Sequence, residues 1–150
     1  MTNHSEQERL IQLVNEYADA FAALSPDNLN ALSALLDGQV TFQDPFNEKT
    51  GRDQFMAIFE HMFNVMEDAH FTILDTASSQ NAGYIKWQMG GRLASRPQFD
   101  MTLIGMSEVH FNHDGYVIAH IDHWDSASQL LSRIPVAGII VRSLLKLFRH

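Results

Sequence analysis

Two aspartates and a histidine carry most of the chemistry this sequence can offer. Asp44 ends the run Val40-Thr41-Phe42-Gln43-Asp44-Pro45, in which β-branched and aromatic residues alternate as in a strand. Pro45 stops that strand, because proline lacks a backbone donor and pushes the residue before it into an extended conformation. Asp122 lies in His120-Ile121-Asp122-His123-Trp124, where strand alternation puts His120, Asp122 and Trp124 on one face and Ile121 and His123 on the other. The same alternation on the preceding strand groups Met101, Leu103, Gly105 and Ser107. If these faces meet, two carboxylates, an imidazole and a hydroxyl converge among apolar walls. Such walls raise a carboxyl pKa toward neutrality, where the group can accept and return protons. Plainer roles stay open: Asp44 can cap the helix that follows, and His120 with Asp122 can be a structural pair within a sheet.

The elements that must position these groups follow from periodicity. From Ser5 as an N-cap, Leu10, Ile11, Leu13, Val14, Tyr17, Ala18, Phe21 and Leu24 predict a helix ending near Ser25-Pro26, with Tyr17 on its buried stripe. A tyrosine there is either core packing with its hydroxyl satisfied or a phenol aimed at the site. Pro26 to Leu36 predicts a second helix, closed by Asp37-Gly38 as a glycine C-cap. The strand ending at Asp44 comes next, and Gly51 opens a third helix through Phe55, Ile58, Phe59, Met62, Phe63 and Met66. Strands are then expected over His70 to Asp75, Gly83 to Met89 (broken by Gly90-Gly91), Gln98 to Phe111 and Tyr116 to Trp124, the last two joined by Asn112-His113-Asp114-Gly115. Three helices followed by an antiparallel meander predict an α+β fold with helices packed on one face of a curved sheet. Asp125-Ser126 caps a C-terminal helical segment, 126–150, interrupted at Pro135.

Composition bounds what the molecule does. A chain of 150 residues, 45% hydrophobic, fits one globular domain spanning 1–150 that can enclose a small cavity. A formal charge of -8, from 18 acidic and 10 basic residues, argues against a nucleic-acid backbone as partner. There are no cysteines, so disulfides and thiolate chemistry are excluded. His110 with His113, and His120 with His123, are spaced so that each pair diverges, and no metal or cofactor is expected. The first nine residues lack the basic and apolar regions of a secretory signal, so a cytoplasmic location is the expectation.

The order of elements, with Thr41-Phe42-Gln43-Asp44-Pro45-Phe46, Gly51-Arg52-Asp53-Gln54 and Phe111-Asn112-His113-Asp114-Gly115 leading to Trp124, resembles the nuclear transport factor 2-like superfamily. That superfamily includes ketosteroid isomerases, polyketide cyclases of the SnoaL type and limonene-epoxide hydrolases. The resemblance implies a cone-shaped curved sheet wrapped by the N-terminal helices. It implies Asp44 as general base, Tyr17 as phenolic oxyanion donor and Trp124 as a pocket wall. Where the isomerases place a protonated aspartic acid, this chain has Ser107. The cyclases and hydrolases instead point to Asp122 as the general acid or base.

The expected function is therefore a cofactor-independent acid/base enzyme of isomerase, cyclase or hydrolase type, acting on a small apolar molecule held in the cone. Asp44 and Asp122 would exchange the proton, His120 would orient Asp122, Tyr17 and Ser107 would donate hydrogen bonds, and Phe42, Phe59, Met101, Leu103 and Trp124 would line the ligand. The alternatives are a non-catalytic binding module for a small hydrophobic molecule and an interaction protein whose cone is filled by side chains. Ile104 and Met106, on the opposite face of their strand, lead to the expectation of a homodimer through the outer sheet face. Pro135 to Phe148, with Arg142, Lys146 and Arg149, is too short and too basic to span a membrane. It is expected to close the cone or cover a partner and not to bind a membrane, peripheral attachment to anionic membranes being the rival reading.

Overall fold

In the computed structural model, which describes residues 2–94 and 98–148, one sheet of six strands curves beneath two long helices. The elements run α1 (Thr2–Ala22), α2 (Leu29–Ser33), β1 (Leu36–Gln43), β2 (Glu48–Thr50), α3 (Arg52–Val65), β3 (Met66–Ser78), β4 (Gly83–Leu93), β5 (Asp100–Phe111), β6 (Val117–Trp124), α4 (Ser126–Gln129), a single 3-10 turn (Leu131–Arg133) and α5 (Ala137–Lys146). Sheet order is β2-β1-β6-β5-β4-β3. Four of the five pairings are antiparallel, as hairpin and meander connections require. The fifth, β1 with β6, is parallel, because the chain returns to β1 only after the whole meander. The expected α+β architecture is thus the observed one, with a mixed sheet.

The core lies between the concave face of the sheet and the two long helices. Val14, Tyr17, Ala18 and Phe21 of α1 and Phe55, Met56 and Phe59 of α3 are buried against Val40, Phe42, Ile85, Trp87, Met89, Leu103, Val109 and Val117. Each large apolar side chain removed from water in this way contributes about 1.5–3 kcal/mol. Strand β5 follows the expected alternation: Met101, Leu103, Gly105, Ser107 and Val109 are buried, while Thr102, Ile104 and Met106 are exposed.

Local boundaries depart from the sequence reading in several places, among them Met66, expected in the third helix but found as the first residue of β3, which runs to Ser78 instead of spanning only His70 to Asp75. Helix α1 begins at Thr2, so Ser5 lies inside it, in a polar stretch where His4 and Glu8 pair at 3.1 Å one turn apart. Helix α2 stops at Ser33, and Asp37-Gly38 is part of β1 rather than a helix cap. Leu36 pairs with Val117 of β6 and is fully buried, so tertiary pairing overrides the local helical pattern. Strand β2 carries no apolar signal, since its Glu48, Lys49 and Thr50 are all exposed. Gly90-Gly91 does not break β4, which continues to Leu93. A Cβ on Gly90 would come within 2.8 Å of the His70 ring, so the glycine there makes room for a cross-strand neighbour. Pro135 precedes α5 rather than lying in its first turn. Arg149, counted among the basic residues of this segment, lies outside the described residues.

Candidate active site

A cavity of about 220 Å³ opens between α3 and the concave face of the sheet. Its wall combines Phe42, Phe59, Phe71, Trp87, Leu103 and Trp124 with helix residues Ile58, Met62 and Val65, and its titratable groups are Asp44, His61 and Asp122. Both aspartates singled out from the sequence therefore face one space. The cone is not filled by its own side chains.

The two carboxylates are held differently. Asp44 lies in the turn between β1 and β2, where its Oδ1 accepts from the backbone N–H of Phe46 at 2.7 Å and of Asn47 at 2.6 Å. The Asn47 side-chain amide reaches both of its oxygens, at 3.1 and 3.0 Å. This is the capping role in a new place: the carboxylate fastens a hairpin turn, not the helix after it. That turn sets the Phe46 ring edge-on against Trp124, with centroids 5.7 Å apart.

Asp122 is the visible end of a buried chain of hydrogen bonds. Its Oδ1 accepts from Ser107 Oγ at 2.5 Å and faces His120 Nε2 at 2.7 Å. Among the described residues, no hydrogen bond reaches its Oδ2. Behind Ser107 stands Trp87, whose indole N–H donates to Ser107 Oγ at 2.8 Å. Since an indole can only donate, the hydroxyl proton of Ser107 goes to Asp122. On the other side, His120 Nδ1 lies 2.9 Å from the Tyr17 hydroxyl. With Asp122 ionised, Nε2 of the imidazole carries the proton toward the carboxylate and Nδ1 accepts the phenol's.

The imidazole has little freedom. His120 is 2% exposed, stacks on Phe42 at 5.2 Å and is enclosed by Phe21, Phe55 and Tyr17. Burial, and then the negative charge of Asp122, push the Tyr17 phenol well above its ordinary pKa. Tyr17 is therefore a neutral donor throughout the physiological range. Its folded-state pKa being raised, its contribution to stability is complete below the unfolded value of about 10 and is lost as pH rises beyond it. In an alkaline titration followed by tyrosinate absorbance, one of the three tyrosines should ionise only as the protein unfolds, and Tyr17→Phe should abolish that step. Ionisation of all three with the fold intact would contradict this placement.

Of the residues expected to meet a ligand, Asp44, Asp122, Phe42, Phe59, Leu103 and Trp124 are on the cavity wall. Tyr17, His120 and Ser107 stand behind Asp122 instead, and Met101, though buried, lines a separate polar groove with Arg92 and Asp100. The sequence reading missed Trp87, whose alternation with Ile85 and Met89 on β4 is a legible inward signal. It also missed Phe71, Met89 and His61. Gly105 lets the indole lie across β5: a Cβ there would come within 2.6 Å of the Trp87 ring and 2.9 Å of Trp124 Cβ. Gly105→Ala should therefore destabilise the protein by about 1–3 kcal/mol, the usual cost of overpacking, and perturb Trp87 fluorescence. An unchanged melting temperature and emission spectrum would show that the ring does not fill this space.

Among the described residues, no group of three His, Asp or Glu side chains is placed to hold a metal ion. Helix α5 contributes nothing to the cavity wall.

Comparison with known proteins agrees with this architecture. A structure from Catenulispora acidiphila DSM 44928, a hypothetical protein with a ketosteroid isomerase-like fold in complex with trimethylamine, is 21% identical, with 79% of this chain and 88% of that chain covered and a TM-score of 0.66. An NTF2-like protein of unknown function from Burkholderia pseudomallei K96243 is 19% identical over 80% of this chain and 93% of its own, with a TM-score of 0.67. A Mycobacterium tuberculosis protein in complex with estradiol-17beta-hemisuccinate is 13% identical over 78% of this chain and 94% of its own, with a TM-score of 0.61. No curated protein matches the sequence. The model of the SnoaL-like domain matches residues 14–126, a span that takes in α1 from Val14 onward, the whole sheet and every residue of the hydrogen-bonded chain around Asp122. The protein belongs to the SnoaL-like domain family and has the nuclear transport factor 2-like fold.

Proposed function

We propose that this protein is a cofactor-independent acid/base enzyme of the isomerase, cyclase or hydrolase type, acting on a small apolar molecule. One observation carries the reading: Asp122 faces an apolar cavity with Oδ1 held by two partners while Oδ2 is left for a ligand. Oδ2 accepts a proton from a bound molecule or from an attacking water, and later returns it. Ser107 and His120 keep the carboxyl group in one orientation through both steps, and Tyr17 fixes the ring of His120. Asp44 holds the rim turn and contributes negative charge to the wall. The ligand-bound relatives, one with trimethylamine and one with a steroid ester, support reading the cavity as a small-molecule site. Its volume, about 220 Å³, is below the roughly 300–1,000 Å³ of pockets for drug-sized molecules, which favours a ligand well below steroid size. The position of Tyr17 behind His120 also departs from a mechanism in which the phenol meets an oxyanion on the substrate. The family match ends at residue 126, which supports reading 126–150 as an extension appended to one domain spanning 1–150.

The second reading is a non-catalytic binding module, favoured by how much of the wall is apolar. Small ketones, lactones and epoxides incubated with the wild type and with Asp122→Asn separate the two. Turnover that depends on Asp122 supports the enzyme, whereas saturable binding with no product under any condition supports the module.

A homodimer through the outer sheet face belongs to the same proposal. Ile104 and Met106 are 46% and 40% exposed there, beside Glu108, whose carboxyl is held below its ordinary pKa by the hydrogen bond from His110. Light scattering should give twice the chain mass at micromolar protein. A single-chain mass would remove this part of the reading.

A further inference from the structure

Helix α5 presents its apolar side outward. Val136, Ile139, Ile140, Leu144, Leu147 and Phe148 are each 55 to 81% exposed. At 3.6 residues per turn they cover about half of the circumference of the helix and its two ends. The helix is fixed in that attitude from beneath. Gly138 is buried so closely that a Cβ would come within 2.4 Å of the Ser132 carbonyl oxygen, and the Arg142 guanidinium donates to the same carbonyl. Gln129 Nε2 donates to the Ile104 carbonyl and Arg133 to that of Asp100, which ties the base of the segment to β5. The apolar arc therefore belongs to a docked element and faces away from the core.

Charge identifies what it faces. Residues 126–150 hold four of the ten basic residues, Arg133, Arg142, Lys146 and Arg149, and none of the eighteen acidic ones. Lys146 flanks one edge of the apolar arc, where its long stem can follow it while the charge stays in water, and Arg142 adds positive charge on the same side from its place against Ser132. No helix among the described residues is long and apolar enough to cross a membrane. A helix of ten residues is about 15 Å long, half the thickness of a bilayer core. A short helix with one apolar face, basic flanks and no acid suits the plane of an anionic lipid surface. Pairing α5 with a second copy of itself would instead bring like charges together.

We infer that α5 is a peripheral docking element for anionic membranes, seating Ile140, Leu144 and Leu147 among the acyl chains and Lys146 among the headgroups. This is independent of the chemistry assigned to the cavity. The test is co-sedimentation of the full chain with vesicles of phosphatidylglycerol or of phosphatidylcholine. Binding to phosphatidylglycerol should be about tenfold tighter or more, and Lys146→Glu should reduce that preference. Leu144→Glu combined with Leu147→Glu should abolish binding, with the circular dichroism spectrum unchanged because both residues are exposed. Failure of the wild type to sediment with phosphatidylglycerol vesicles would overturn the inference, as would binding that survives the paired glutamates. A dimer that the paired glutamates dissociate, with no vesicle binding by the wild type, would assign the arc to a second copy instead.

Discussion

Asp122→Asn is expected to lower turnover of a cavity-sized substrate by about a hundredfold or more, the usual scale for losing a positioned acid or base, while leaving the fold intact. The amide oxygen can take the place of Oδ1 and keep the bonds to Ser107 and His120, so only proton exchange at the other position is lost. Asp44→Asn is expected to behave differently. An asparagine oxygen still accepts from the backbone N–H groups of Phe46 and Asn47, so stability should change by less than about 1 kcal/mol and turnover by much less than for Asp122. Parallel kinetics and melting curves of the two variants decide the matter. Equal losses of turnover would make Asp44 a second working group, and full activity in Asp122→Asn would show that no proton passes through it.

The second large effect concerns stability. His120→Leu keeps an apolar side chain of similar reach but leaves the Tyr17 hydroxyl and one position on Asp122 Oδ1 without a partner. Stranded buried polar groups cost about 1–3 kcal/mol each, so a loss of roughly 3 kcal/mol is expected, a fall in melting temperature of about 6–12 °C for a chain of this size. Tyr17→Phe added to that background should cost less than it does in the wild type, since its partner is already gone. Additive losses would mean that Tyr17 and His120 act independently. Should His120→Leu fail to fold, His120→Gln, which can still donate and accept, gives a milder version of the same comparison.

Much of this arrangement is legible in the sequence. Alternation along β5 and β6 correctly put Ser107 and Asp122 on one face, because a strand half in the core leaves its period in the sequence. The grouping of Asp44 with Asp122 needed one further step, the parallel pairing of β1 with β6, which sets Phe42 beside His120. What could not be read was direction within a side chain. Tyr17 was rightly placed on the buried stripe of α1, yet its hydroxyl ends on an imidazole instead of the cavity wall. The indole of Trp87 reaches Ser107 only because Gly105 leaves it room. Leu36 was assigned to a helix because its burial comes from Val117, eighty-one positions further along the chain, and a local pattern holds no trace of such a neighbour.

The fastening of the C-terminal segment has a consequence of its own. Strand β6 ends at Trp124, opposite Gly105, so β5 from Asp100 to Ile104 runs on without a strand on that side. Gln129 supplies the missing partner: its side-chain amide exchanges both hydrogen bonds with the backbone of Ile104, at 2.6 and 3.0 Å, and Arg133 takes the carbonyl of Asp100. Unpaired backbone of this kind is a template on which another chain can add a strand and begin polymerising. One glutamine and one arginine thus occupy an edge that would otherwise invite aggregation, and the segment that protects the sheet is the one that carries α5.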